Sequence, residues 1–204
     1  GDGDRVLFVA ADGTIVDGDE LLFIIAKHRV SKGKAPLGVV GTLMSNLGLQ
    51  QALEEYGIQM DRTKVGDRYV LERMAERGWQ LGGETSGHII CGDLTTTGDG
   101  MVAALQVLRA IVDESESLIR LKNQMTKLPQ TLINVPVTEH FDLERSDLVR
   151  RESERVSALL KGRGRLVIRP SGTEPLIRVM IEGRDPDENA SLAEGIAEKI
   201  IRAG

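Results

Sequence analysis

The sequence predicts an α/β chain in two parts: an α/β domain, then a separate α+β domain. Three observations predict it. From Val6 to about Val112, short apolar runs take turns with stretches of helical apolar spacing. Past the charge-rich Asp113-Glu114-Ser115-Glu116-Ser117, which reads as a linker, the order becomes strand, helix, strand, strand, helix. That order contains a hairpin and calls for an antiparallel sheet covered by helices. Finally, 204 residues suffice for one large or two ordinary domains, and 41% hydrophobic content with only 3% aromatics means cores of Leu, Ile, Val and Ala.

The bulk properties also exclude. The net charge is −5 and the pI about 5.4. No long basic stripe is visible, which argues against a nucleic-acid partner. A mildly acidic protein can bind phosphate only where Arg and Lys are gathered locally. The apolar run Leu21–Ala26 is far too short to span a bilayer, and there is no signal-peptide pattern. A lone Cys91 permits no internal disulfide, which fits a reducing cytoplasm, and its apolar neighbours make it a small core residue. The chain opens on Gly1, inside what reads as a functional loop, so a piece of a longer protein is expected.

Taken in order, Val6 to Ala10 reads as a strand and Asp12-Gly13 as a turn. Asp19 is expected to cap a helix through Leu21, Leu22, Ile24 and Ile25. A buried strand spans Leu37 to Gly41. A helix then starts at Ser45 or Asn46 and ends by Gly57, and another strand lies within Ile58 to Val65. Asp67 is placed to cap the helix of Val70, Leu71 and Met74, which stops at Gly78. A strand end feeding a helix N-terminus is equally where α/β folds take anionic and polar ligands. Short strands follow at Trp79–Gly82 and His88–Cys91. A helix from Met101 to Val112, apolar almost all round, reads as buried. In the second part, Pro136 interrupts the strand Leu132–Val137 and suggests an edge. Helices are expected over Ser146–Leu160 and from about Glu188 to Arg202, with strands at Arg165–Ile168 and Ile177–Ile181 between them.

Three stretches carry chemistry. Asp2 and Asp4, spaced by glycine and followed by Arg5, can fold round a hard cation that prefers oxygen, although five such residues can also be a frayed acidic end. An EF-hand is disfavoured, because Leu7 stands where that loop needs Gly. In Gly82-Gly83-Glu84-Thr85-Ser86-Gly87-His88, a carboxylate and a hydroxyl between glycines can both point into a cleft, Glu84 accepting from sugar hydroxyls and Ser86 donating or accepting. The alternative is a polar loop whose His88 begins a strand. Arg169-Pro170-Ser171-Gly172-Thr173-Glu174-Pro175-Leu176-Ile177-Arg178 packs two guanidinium groups, two hydroxyls and a glycine between two strands. Paired N–H donors match phosphate oxygens, and Gly172 allows close backbone approach or a positive φ that aims N–H groups at an anion. The physical reading is a clamp for a dianion; the bland one is a proline-glycine turn with surface charges.

These stretches, with Val65-Gly66-Asp67-Arg68-Tyr69-Val70, resemble in order the motifs of the α-D-phosphohexomutases, and the whole chain resembles the C-terminal half of the phosphoglucosamine mutases among them. The resemblance implies that residues 1–16 end a second α/β domain with a metal loop. It implies a three-layer, sugar-binding third domain over 17–116. Residues 117–204 would then be an α+β, TATA-binding-protein-like domain that binds phosphate. It implies an enzyme interconverting glucosamine 6-phosphate and glucosamine 1-phosphate through a phosphoserine and a bisphosphate, for UDP-N-acetylglucosamine and thence peptidoglycan precursors. By resemblance Asp2 and Asp4 ligate Mg²⁺ as the second and third Asp of a motif whose first Asp would precede Gly1, so the site is expected to be incomplete in this chain; Arg5 lies beside the phosphoserine, and Asp67, Arg68, Glu84, Ser86 and His88 bind substrate. Arg169, Ser171, Gly172, Thr173 and Arg178 grip the phosphate that is not reacting. The partners implied are an amino-sugar phosphate and the N-terminal half of the same enzyme. The family's nucleophile sits in a Ser-x-Ser-His-Asn-Pro-type loop; Ser86-Gly87-His88 is not that loop, so this chain alone is expected to be inactive. The alternatives are a phosphohexomutase for mannose or glucose phosphates, and a non-catalytic phosphosugar-binding module.

Overall fold

The computed structural model describes residues 2–138, 142–172 and 174–203. Gly1 and Thr173, the latter one of the expected phosphate contacts, lie outside the described residues. The chain divides into two compact units, Gly1–Lys127 and Leu128–Gly204.

The first unit opens with an antiparallel hairpin, β1 (Phe8–Val9) and β2 (Ile15–Val16). Its turn is the expected one: the Thr14 amide donates to Asp12 Oδ1 at 2.9 Å, and Gly13 has φ +84°. Helix α1 (Gly18–Ser31) follows. Its cap is Asp17, not Asp19, in a reciprocal capping box with Glu20. Asp17-x-x-Glu20 has the spacing such a box requires. Apolar on every side, α1 is buried without a break from Gly18 to Ala26 and forms the middle of the unit.

The order then alternates: β3 (Gly38–Thr42), α2 (Leu47–Glu54), β4 (Gln59–Thr63), α3 (Asp67–Arg77), β5 (Leu81–Gly83), β6 (Ile89–Cys91), α4 (Gly100–Glu114) and α5 (Leu118–Lys122). Asn46 caps α2, as expected. The strands form a sheet in the order β4-β3-β5-β6, parallel except for β6. Every residue of β3 is buried, because the sheet is covered on both faces. Successive side chains point to opposite faces: Val39 and Ile89 enter the core around α1, while Val40 and Ile90 meet Val70 and Met74 of α3. The result is the three-layer sandwich that the sequence led us to expect.

Two expectations are corrected. The apolar helix α4 buries only its small-residue face, Ala103, Val107 and Ala110, and leaves Met101 75% and Val112 74% exposed. The charged run after it is no linker. Asp113 accepts from His28 at 3.0 Å and Glu114 from Lys27 at 2.7 Å, which ties the end of α4 to α1. Helix α5 then puts Leu121, with Met125 beyond it, into the first core. The division between the units therefore falls at Lys127–Leu128, later than the boundary expected at 116–117.

The second unit holds β7 (Gln130–Pro136), a 3₁₀ turn at Leu143–Arg145, α6 (Asp147–Leu160), β8 (Gly164–Pro170), β9 (Leu176–Gly183) and α7 (Pro186–Ala203). The sheet is antiparallel in the order β7-β9-β8, so β7, with its Pro136, is an edge strand. Ser146 caps α6 and Asp185 accepts from the first amides of α7, whose Pro186 needs no donor there. Val149, Val156 and Leu160 of α6 and Ala193, Ile196 and Ile200 of α7 close over Ile177, Val179 and Ile181 of the central strand.

Candidate functional site

In the first unit the loops at the C-terminal ends of the parallel strands meet. That end of an open α/β sheet is where ligands bind. The β5–β6 connection is a tight turn: the Glu84 amide donates to His88 O at 2.9 Å and the Gly87 amide to Glu84 O at 3.0 Å. Gly87 has φ +92°, and a Cβ on it would lie 2.1 Å from Val6 O, so no other residue fits. Ser86 is exposed at the tip, Glu84 half-buried and His88 3% exposed.

Glu84 reaches across to the next loop. Its Oε1 accepts from the Gly66 amide at 2.9 Å. This corrects the cap expected for α3: Gly66 is the N-cap residue, with φ +136° and no side-chain bond, and Asp67 is already inside the helix. Asp67 is exposed and accepts from its neighbour's amide in Arg68 at 2.7 Å; Arg68 pairs with Glu72 at 2.8 Å along the outer face of α3. Neither side chain is bonded to the Glu84 loop.

The N-terminal stretch lies against the same turn. The Val6 amide donates to Gly87 O at 3.1 Å, Arg5 and His88 form an antiparallel bridge, and the Gly100 amide at the start of α4 donates to Gly3 O at 2.9 Å. His88 Nε2 lies 3.9 Å from Asp4 Oδ2, and its buried Nδ1 has no hydrogen-bond partner among the described residues. Arg5 is largely exposed, its Nε 3.8 Å from Asp4 Oδ2. A hydrogen bond shared with Asp4 holds the Asp2 carboxyl below the usual carboxylate range. Asp2 and Asp4 offer hard carboxylate oxygens, which suit Mg²⁺ bound through few carboxylates and its substrate's phosphate. Among the described residues no group of three or more His, Cys, Asp or Glu forms a complete cage.

In the second unit the register of β8 and β9 sets Arg169 directly opposite Arg178. Like charges facing across strands repel. Yet among the described residues both Nε atoms are buried without a hydrogen-bond partner, and no carboxylate lies within 4.0 Å of Arg169. Among the described residues, Arg178 has Ser171 Oγ at 3.5 Å and, at 3.9 Å, Glu174. Burial, and then the charge of Arg178, push the Arg169 guanidinium below its ordinary range. The turn beyond is pinned by the Ser171 amide donating to Leu176 O at 2.8 Å. Gly172 is exposed and its φ is not positive, so it does not serve the turn by a left-handed conformation.

A cavity of about 840 Å³ lies at the opposite end of the first unit's sheet, lined by Arg29, Lys32, Trp79 and Arg109 among others. Its cations are largely spoken for: Arg29 pairs with Asp93, and Lys32 and Arg109 with Asp113. Asp19 was expected only as a helix cap. It is fully buried behind the Glu84 loop, accepting from Thr85 Oγ1 at 2.9 Å. The signal that could have freed it from the capping role is the Asp17-x-x-Glu20 box.

Residues 17–128 match the family model described as phosphoglucomutase/phosphomannomutase, alpha/beta/alpha domain III, and residues 132–199 match the C-terminal domain of the same family. A phosphoglucosamine mutase of Teredinibacter turnerae is 53% identical over 203 residues, covering 100% of this chain and 46% of that protein. One of Serratia proteamaculans is 54% identical over 205 residues, again 100% and 46%. The chain thus spans about half the length of the curated relatives it matches. An N-acetylphosphoglucosamine mutase of Aspergillus fumigatus shares the fold at TM-score 0.80 and 22% identity, over 100% of this chain and 47% of that one. Another structure of that fungal enzyme, in complex with GlcNAc-6P and magnesium, aligns at TM-score 0.78 and 23% identity, over 100% and 48%.

Proposed function

The chain belongs to the phosphoglucomutase/phosphomannomutase family, and from that premise we propose that it is the sugar- and phosphate-binding half of an enzyme that interconverts glucosamine 6-phosphate and glucosamine 1-phosphate. The choice of an amino sugar within the family rests on the phosphoglucosamine mutases that match over the whole chain. The cytoplasm is the setting, which the buried single thiol of Cys91 suits.

The observation that carries the reading is the facing pair Arg169–Arg178. Two guanidinium groups facing each other, with only the exposed Glu174 carboxylate at 3.9 Å from one of them among the described residues, are a poor arrangement for stability and a good one for a dianion, whose oxygens accept charge-assisted N–H bonds from both. Arg169 and Arg178 hold the phosphate that does not react, with Ser171, Gly172 and Thr173 adding donors from the turn. Such a grip does not distinguish which carbon bears the phosphate, so the bisphosphate can bind in either orientation. In the first unit Glu84 and Ser86 take sugar hydroxyls, and Asp67, Arg68 and His88 complete the polar surroundings.

Asp2 and Asp4 are the residues of this chain that would hold Mg²⁺, with Arg5 beside them. When bound, the ion supplies positive charge to the transferring phosphoryl group. The serine that gives and takes the phosphoryl group belongs to the part of the enzyme that this chain does not span.

Turnover tests the reading. The full-length protein should convert glucosamine 6-phosphate with a higher kcat/KM than mannose 6-phosphate or glucose 6-phosphate, while the 204-residue chain alone converts none. Equal or better turnover of the non-amino sugars would move the assignment to another phosphohexomutase. Turnover by the isolated chain would overturn the division of labour.

A further inference from the structure

We propose that Asp19 is a positioning residue for the Glu84 loop: from inside the first unit it holds Thr85, and so sets the direction in which the flanking Glu84 and Ser86 side chains are presented. The inference rests on the proposed sugar-binding role of that loop for its functional half, and on geometry alone for its structural half.

The geometry starts from the N-terminus of α1. Asp17 already caps the helix, so the Asp19 carboxylate is not needed there. It is nevertheless fully buried, where an unneeded charge is costly. Its Oδ2 accepts from two segments remote in sequence: Thr85 Oγ1 at 2.9 Å and the Asn46 amide, at the start of α2, at 2.8 Å. Among the described residues its Oδ1 has no hydrogen-bond partner. Helix propensity alone would be served as well by an uncharged residue at this position. What the carboxylate adds is a fixed acceptor joining the Glu84 loop to α2.

Thr85 is gripped twice. Its hydroxyl donates to Asp19, and its carbonyl accepts from the Gly18 amide at 3.0 Å. The approach is so close that a Cβ on Gly18 would lie 2.0 Å from Glu84 O and 2.8 Å from the Gly87 amide nitrogen. With Thr85 pinned inward, Glu84 is left to reach Gly66 and Ser86 to stand exposed at the tip. The base of the clamp is itself tied down: Lys127 pairs with Asp17, and Lys122 lies 3.5 Å from Glu20. Among hydroxyl-bearing or isosteric residues, Ser can replace Thr85 in this role and Val cannot.

The experiment compares Thr85→Val, Thr85→Ser and Asp19→Ala with the unaltered sequence by two readouts. The first is amide hydrogen exchange of residues 83–88 in the 204-residue chain, with exchange in α7 as the internal control. Thr85→Val should speed exchange of the Glu84 and Gly87 amides by about tenfold, the worth of one hydrogen bond, leave α7 unchanged, and be reversed by Thr85→Ser. The second is steady-state kinetics of the same substitutions in the full-length protein. There, Thr85→Val and Asp19→Ala should raise KM for glucosamine 6-phosphate by about tenfold with a smaller change in kcat, and Thr85→Ser should stay near the unaltered value. Unchanged exchange in Thr85→Val overturns the inference, and so does a loosened loop with unchanged KM, which would make Asp19 a stabilising residue only. Absence of hexosamine-phosphate turnover by the unaltered full-length protein would defeat the proposed function instead, while the exchange readout would still decide whether Asp19 sets the loop.

Discussion

The β8–β9 ladder carries two arginine pairings, four residues apart on β8, that are opposites. At its open end Arg165 faces Glu182; near the turn Arg169 faces Arg178. Glu182 is fully buried with both oxygens engaged, one by Gln130 Nε2 at 2.8 Å and the other by Arg165. Arg169 and Arg178 have buried Nε atoms with no hydrogen-bond partner among the described residues. The strands, the residue type and the local twist are shared, so backbone preference does not explain the difference. One end is satisfied from within the chain; at the other, the proposed phosphate would supply the acceptors. Unmet hydrogen-bonding capacity at a place where charge is crowded is therefore informative, whereas an arginine count would have treated the two ends alike.

The comparison can be broken at either end. The largest effect is expected at the satisfied one. Glu182→Ala leaves Arg165 buried without its acid and should cost about 3–5 kcal/mol in denaturant unfolding; a loss under about 1 kcal/mol would mean that the pairing is incidental. A sharper version uses Asp19, a buried carboxylate with no cation within 4.0 Å among the described residues. Burial first, and then the charge of Asp17, push its pKa up to about 6. The folded state thus takes up the proton before the unfolded chain does, so the stability linked to protonation is complete below about 4 and is lost as pH rises through 6. Between pH 7 and pH 4 the unaltered chain should gain on the order of 2–3 kcal/mol relative to Asp19→Asn. A parallel pH dependence of the two melting curves would remove Asp19 as the titrating group. The unsatisfied end should behave in the reverse sense to Glu182. Arg169→Ala should leave stability unchanged or slightly higher, since it relieves repulsion. It should also weaken binding of glucosamine 6-phosphate, followed by calorimetric titration, by about 1.5–3 kcal/mol. If Arg169→Ala destabilised the chain as Glu182→Ala does, the two ends would not differ in kind.

Much of the architecture was legible because its signals are local. Asn46 and Ser146 as caps, Asp12-Gly13 as a turn and Pro136 on an edge all act within a few residues. What the sequence hid depends on distant partners. Gly66, rather than Asp67, begins α3, with its amide taken by Glu84 from another loop. The Asp113–Ser117 run looked like a linker because its charges are visible in sequence, while the Lys27 and His28 that pair with them are not. Helix α4 read as buried because periodicity reports apolar faces, not what lies against them. At the candidate site, the motifs named the residues but not the pairing. That Arg169 meets Arg178 follows from the hairpin register, and that Asp19 stands behind Thr85 follows from how α1 packs.

The sheet order of the second unit has a kinetic consequence. β8 and β9 are adjacent in sequence and zip from their turn, whereas β7 can join β9 only after a long loop has closed. The cation pair sits at the first rungs of that zipper, so its repulsion is met at the start of folding, before the helices are in place to offset it. Inorganic phosphate should therefore raise the refolding rate more than it slows unfolding, and stopped-flow mixing at matched ionic strength would reveal a nucleus that is itself responsive to the ligand.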